Sequence, residues 1–224
     1  MDVRLLLPGG KQAMMGDAVR ITRGIAYLYV SVVCSAPVER VEVHNGLETL
    51  QTFRPYTAGN LGSRVKLVWS GAEVPGRARM TRWDGNLVLR DNAILKATPI
   101  NFWNANKPLK QSGQTLSWQS STTGGLSGII MELARPDAGS IEVTTTQGQF
   151  TAEIKKIWME PKVWKYGGLK KMVELYRLPK KPQSGEFSLR MTLPELKSGD
   201  NPFFVKLVQE DWHMAWSSPI YVMS

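Results

Sequence analysis

Two groups of side chains have the types and spacing to bind something. The first is an arginine–tryptophan cluster, Arg77, Arg79, Arg82 and Trp83, in GRARMTRWDG. On an extended strand Arg77 and Arg79 share a face, and Arg82 falls on the other unless a bulge intervenes. A guanidinium beside an indole can take a carboxylate, a phosphate or a sugar ring. The structural alternative is an arginine stem packed over Trp83 at a hairpin. The second group is a basic run over 154–182, with nine lysines and arginines opposed by Glu160 and Glu174 alone. Lys155, Lys156, Lys170 and Lys171 form two of its three adjacent pairs (Lys180-Lys181 is the third), and Trp158, Trp164, Tyr166 and Tyr176 are interleaved. That pattern suits an anionic polymer. The alternative is a lysine-rich solvated strand face with its aromatics in the core. Eight tryptophans also invite a carbohydrate-binding reading, although Trp69, Trp118 and Trp216 sit in apolar strands or at strand starts and read as core.

Other chemistries lack their parts. One cysteine rules out an internal disulfide, and with two histidines it leaves too few ligands for a four-ligand zinc site. Cys34 ends an apolar strand and reads as a small buried residue. His44 stands beside the turn pair Asn45-Gly46 and is expected to face solvent. No G-x-S-x-G elbow and no D-x-D-x-D-G loop occurs, and the adjacent Glu210 and Asp211 read as a solvated turn. The sequence assigns no catalytic residue, metal or cofactor. No apolar run approaches the roughly 18 residues needed to span a bilayer. Residues 5–7 form too short an apolar block for a signal-peptide core, and the compartment is not assigned.

The elements that would hold these groups are strands. Of 224 residues, 42% are hydrophobic and 21% charged, with a net charge of +9. The 20 glycines and 13 prolines fall between short apolar runs, which favours an all-β chain with many turns. Residues 25–33 alternate, with Ala26, Leu28, Val30 and Val32 on one face and Tyr27, Tyr29 and Ser31 on the other. Residues 38–44 repeat this with Val41 and Val43 inward. Asn45-Gly46 predicts a type I′ hairpin returning over 47–53. Further hairpins are predicted at Asp84-Gly85, Gln147-Gly148 and Gly167-Gly168, with a loop over 101–113 carrying Phe102 and Trp103. Only 154–160 could form a short helix, which Pro161 ends. The chain closes on 202–222, read as a hairpin in which Trp216 covers the end of the core while Trp212 sits in the turn. Strands at intervals of about ten residues indicate a sandwich. More than a dozen of them indicate two sandwiches, stacked or nested.

The closing QEDWHMAWSSPIYV (209–222) resembles the terminal signature of a bacterial family of unknown function. In that family a PHP-type, metal-dependent phosphoesterase-like region precedes a β-rich C-terminal region. APVERVEVHNG (36–46), VKLVWSGAEVPGRARMTRWDGNLVL (65–89) and LSWQSSTTGG (116–125) continue the resemblance in order. It covers nearly the whole chain but only the family's C-terminal half. One departure is Trp212, where the family's usual form has glycine. The resemblance implies an immunoglobulin-like β-sandwich over 1–60 and 161–224, with an inserted second β-unit over 61–160; a single enlarged sandwich is the alternative. It further implies a non-catalytic accessory region that packs against a PHP-like catalytic region, in cis or as a neighbouring chain. The other reading is a freestanding binding module for an anionic polymer or a carbohydrate.

Overall fold

The computed structural model describes residues 1–224 except Thr22, Arg77, Ala78 and Ser224. The chain is all-β, with 58% strand and 4% helix. It divides into two compact units, Met1–Thr57 with Pro182–Ser224, and Ala58–Lys181. The second lies within the first in sequence, and each is a sandwich with its own apolar core.

The discontinuous unit begins with β1 (Asp2–Leu6), β2 (Gln12–Met14), β3 (Ala18–Arg20), β4 (Tyr27–Val33), β5 (Val38–Asn45) and β6 (Glu48–Phe53). The inserted unit follows with β7 (Leu61–Ala72), β8 (Thr81–Arg82), β9 (Gly85–Arg90), β10 (Ile94–Ile100), β11 (Lys110–Ser112) and β12 (Thr115–Trp118). It continues with β13 (Ser121–Thr122), β14 (Leu126–Leu133), β15 (Ser140–Thr145), β16 (Gly148–Glu153), β17 (Lys162–Lys165) and β18 (Leu169–Pro179). The first unit resumes with β19 (Glu186–Thr192), β20 (Asp200–Gln209), β21 (Met214–Trp216) and β22 (Ile220–Met223).

In the discontinuous unit, sheet β19-β4-β1-β2 faces sheet β3-β22-β20-β5-β6, with β21 alongside β20. The alternation that writes these strands also builds the core. Val3, Leu5, Leu28, Val30 and Val32 point in from the first sheet, and Val41, Val43, Phe203, Val205 and Leu207 from the second. In the inserted unit, sheet β10-β14-β7-β18-β17 and sheet β11-β12-β9-β15-β16 enclose Leu67, Trp69, Trp83, Leu87, Ile129 and Leu175. The strands Lys162–Lys165 and Leu169–Pro179 belong here, because β18 pairs with β7 along nearly its whole length. This differs from the expectation that 161–181 belongs to the other sandwich. No strand ends at Glu160 to mark that division. Pairing partners 97 to 118 residues apart in sequence decide it.

The turns differ from their sequence cues by a residue. At the first hairpin the turn residues are Gly46 and Leu47, and only Gly46 takes a positive φ, 58°. A type I′ turn on Asn45-Gly46 would need both residues there. At the third hairpin the turn is Thr146-Gln147, between β15 and β16. Gly167-Gly168 holds as predicted, with φ of 77° and 54°. Asp84-Gly85 makes no hairpin: β8 pairs with β13, whereas β9 pairs with β12 and β15. Gly85 serves a different need, since a Cβ there would lie 2.3 Å from the Thr144 carbonyl oxygen.

His44 is not solvent-facing as expected. It lies opposite Phe204 on the outer face of β5 and stacks on that ring at 4.8 Å, leaving its side chain 13% exposed. Cys34 is half-buried rather than buried, and burial pushes its thiol pKa up.

The closing segment corrects the reading of both tryptophans. Trp216 lies opposite Lys206, and β20 alternates with Phe203, Val205 and Leu207 inward. The register therefore puts Trp216 on the outer face, 55% exposed. Trp212 is the constrained one. Its φ is 70°, its amide donates to the Gln209 carbonyl at 2.9 Å, and its ring lies 5.1 Å from the Arg40 guanidinium. Arg40 in turn pairs with Glu39 and Glu42, and Lys206 also reaches Glu42, at 3.0 Å. Burial raises the pKa of Glu42, but hydrogen bonds and charge from Arg40 and Lys206 outweigh this and hold it below the ordinary value.

The left-handed backbone at Trp212 is the conformation a glycine takes without penalty. Trp212→Ala should therefore keep the strain and lose the ring contact. Trp212→Gly should recover about 1 kcal/mol relative to alanine. Trp216→Ala should change stability by no more than about 0.5 kcal/mol, as an exposed site. Urea denaturation of the three variants checks the order; equal stability of the alanine and glycine variants at 212 would refute it.

Candidate functional site

The sequence cluster at 77–83 is split by its own alternation. Arg77 lies outside the described residues. Arg79 is exposed, and Arg82 on β8 has a side chain 68% exposed, with Nε 3.6 Å from Asp84 Oδ2. Trp83 points the other way and is fully buried. Its indole N–H donates to Thr122 Oγ1 at 2.8 Å, and its carbonyl accepts from Trp118 Nε1 at 2.6 Å. Tyr166 meets it edge-on, and burial raises the Tyr166 phenol pKa. Trp83 is thus core, and Arg82 does not pack over it.

Arg82 instead lines a cleft with a residue the sequence left in a loop. Segment 101–109 joins β10 to β11, and two contacts anchor its start. Asn101, at φ 57°, donates its side-chain amide to the Leu126 carbonyl at 3.1 Å and accepts from Ser127 Oγ on its own carbonyl at 3.3 Å. Phe102 packs edge-on against Trp69 at 6.1 Å, and Trp69 stacks on Trp118 at 4.9 Å. With Phe102 drawn inward, Trp103 turns outward and is 82% exposed. It borders a cleft of about 230 Å³ with Arg82, Asp84, Asn104, Lys107 and Gln119.

The polar groups here are held by framework contacts. Asp84 Oδ1 accepts from the Ser120 amide at 3.0 Å, fixing the carboxylate. The Arg82 carbonyl accepts from Thr146 Oγ1 at 2.7 Å and from Gln147 Nε2 at 3.0 Å. Asn104 Oδ1 accepts from the Asn106 amide at 3.0 Å, and the Asn104 carbonyl accepts from the Lys107 amide at 2.9 Å. An exposed flat indole, amides, a guanidinium and a carboxylate around a small concavity can hold a polyhydroxylated ring by its apolar face and its hydroxyl edge. Among the described residues no three His, Cys, Asp or Glu side chains group to hold a metal ion. No helix among them is long and apolar enough to cross a membrane.

The basic run is dispersed by its partners. Lys155 and Lys156, within the short 3-10 turn Ile154–Lys156, both reach Glu153, at 3.5 and 2.5 Å. Lys171 is buried, its ammonium on Glu73 and 3.1 Å from Gln147 Oε1. Lys170 stays exposed at the irregular start of β18, at φ 56°, where the register with β7 shifts between Leu169 and Met172. Arg177 is buried too and bonds backbone carbonyls. Trp164 stacks on Phe150 at 3.7 Å rather than standing free.

Trp103 could not be singled out beforehand, because loops carry no hydrophobic period. The available cue was the pair Phe102-Trp103 between polar residues, of which only one can enter the core. In comparisons with known proteins, the chain matches no family model, no curated protein and no solved structure.

Proposed function

We propose that the chain is a non-catalytic binding module whose inserted unit takes a carbohydrate in the cleft beside Trp103. The observation that carries this reading is an indole 82% exposed on a segment anchored through Phe102 to the aromatic core. An exposed tryptophan on a floppy loop would be unremarkable. One held open beside Arg82, Asp84 and Gln119 is pre-organised for a flat ligand. The dispersal of Lys155, Lys156 and Lys171 onto carboxylates favours the carbohydrate over an anionic polymer. A glycan array probed with the purified chain tests it. Retention should concentrate on one glycan class and weaken about tenfold or more in Trp103→Ala, whose ring is the central anchor, with no change in melting temperature. An array blank for the wild type, or unaffected by that variant, would refute the reading.

A second reading, an immunoglobulin-like accessory region of a PHP-like metal-dependent hydrolase family, is supported by the placement of the resembling stretches. Residues 36–46 and 209–222 are far apart in sequence, yet β5 pairs with β20, which leads into the closing signature. They share one sheet, as parts of a single family sandwich would. On this reading the chain packs against a PHP-like catalytic region, in cis or on a neighbouring chain. A histidine-rich reading frame fused or adjacent to the gene, with a product that co-purifies, is its expected support; a product that does not bind this chain removes it.

A further inference from the structure

The outer face of sheet β19-β4-β1-β2 carries a groove of about 550 Å³, within the size range of small-molecule sites. Antiparallel register sets its outward residues in rows across the strands. Arg190, Tyr29, Arg4 and Met14 form one row, and Ser188, Ser31 and Asp2 the next. Thr192, Tyr27, Leu6 and Gln12 form a third. The Arg190 guanidinium lies 3.9 Å from the Tyr27 ring centroid and 5.3 Å from that of Tyr29. Arg4 is paired with Asp2 at 2.9 Å. Among the described residues no carboxylate pairs with Arg190, so Arg190 is the net positive charge of the groove lining.

We infer that this groove binds an acidic sugar, a pyranose carrying a carboxylate, through Arg190. A guanidinium held over a tyrosine ring spends no N–H donor on a hydrogen bond there, and its planar fork of donors fits a carboxylate two at a time. Its position is fixed by two rings before a ligand arrives. Tyr29 is 37% exposed and offers a flat apolar surface one residue away in the same row. The Ser31 and Ser188 hydroxyls, 3.2 Å apart, and the Gln12 amide supply partners for ring hydroxyls. With Arg4 neutralised by Asp2, a single net charge matches a monoanionic carboxylate better than a phosphate dianion. The site lies within the discontinuous unit and shares no residue with the Trp103 cleft.

Calorimetric titration at low salt with a trimer of galacturonate, its methyl-esterified form and inorganic phosphate tests the inference. The acidic trimer should bind, and the esterified trimer should bind roughly tenfold or more weaker, having lost the charge-assisted pair. Arg190→Gln should lower affinity for the acidic trimer by a similar factor without changing the melting temperature. Trp103→Ala should leave this binding unchanged, which separates its failure from that of the cleft. Equal binding of the esterified trimer, wild-type affinity in Arg190→Gln, or full displacement of the trimer by equimolar phosphate would overturn it. So would absence of sugar binding together with a dimer that Arg190→Gln dissolves, which would make this face an interface between copies.

Discussion

Arg177→Ala should destabilise the inserted unit by about 3–5 kcal/mol, the range for removing one partner from a buried charged network. The side chain is 4% exposed. Its guanidinium donates to the carbonyls of Ile157 at 3.0 Å, Gly62 at 3.1 Å, and Ile154. These fasten the turn after β16 to the start of β7. Each buried carbonyl left without a donor costs about 1–3 kcal/mol, and water entering the vacated space offsets part of that. The ion pair with Asp137 contributes little, because that carboxylate is 72% exposed. Asp137→Asn should therefore stay within about 0.5 kcal/mol of wild type. Arg177→Lys should recover only part of the loss, since an ammonium lacks the planar fork. Denaturation followed by tryptophan fluorescence reads all three. An Arg177→Ala variant within about 1 kcal/mol of wild type would show that the carbonyl network is not what this arginine is for.

Trp83→Ala should cost a comparable amount, about 3–5 kcal/mol. The ring is fully buried, and burying a ring of this size removes about 150–250 Å² from water. Its loss also strips a donor from Thr122 Oγ1, which itself donates to the Gly71 carbonyl at 2.7 Å. Trp83→Phe keeps most of the volume and loses that hydrogen bond, so about 1–2 kcal/mol is expected. Arg82→Ala, one residue away, should fall within about 0.5 kcal/mol. A large loss at 82 with little at 83 would mean that the strand faces are reversed.

These two residues show what could be read from the sequence. Alternation was legible wherever one face of a strand is buried: Ala26, Leu28, Val30 and Val32 are all core. Turn glycines were legible as punctuation but not in register, and Gly85 misled because a strand glycine needed for close approach to Thr144 looks like a turn glycine. Strand partners were beyond reach, since nothing local in 169–179 says that it pairs with 61–72. The basic run misled for a related reason. Charge is visible in sequence, but its partners need not lie within the run: Glu153, just outside it, takes Lys155 and Lys156, and Glu73 meets Lys171 from nearly a hundred residues away. The cleft beside Trp103 was half legible. Arg82 stood out by type, whereas Trp103 acquires its role only because Phe102 beside it is drawn onto Trp69.

The most direct measurement is a ¹⁵N–¹H spectrum of the indole region during titration with the glycan the array selects. The chain has eight tryptophans, so each indole N–H can be assigned by substitution. The carbohydrate reading predicts that the Trp103 resonance shifts progressively and saturates, while those of buried Trp69, Trp83 and Trp118 stay in place. A saturable shift at other indoles with Trp103 unmoved, or no shift at any of them while the glycan binds, would contradict it.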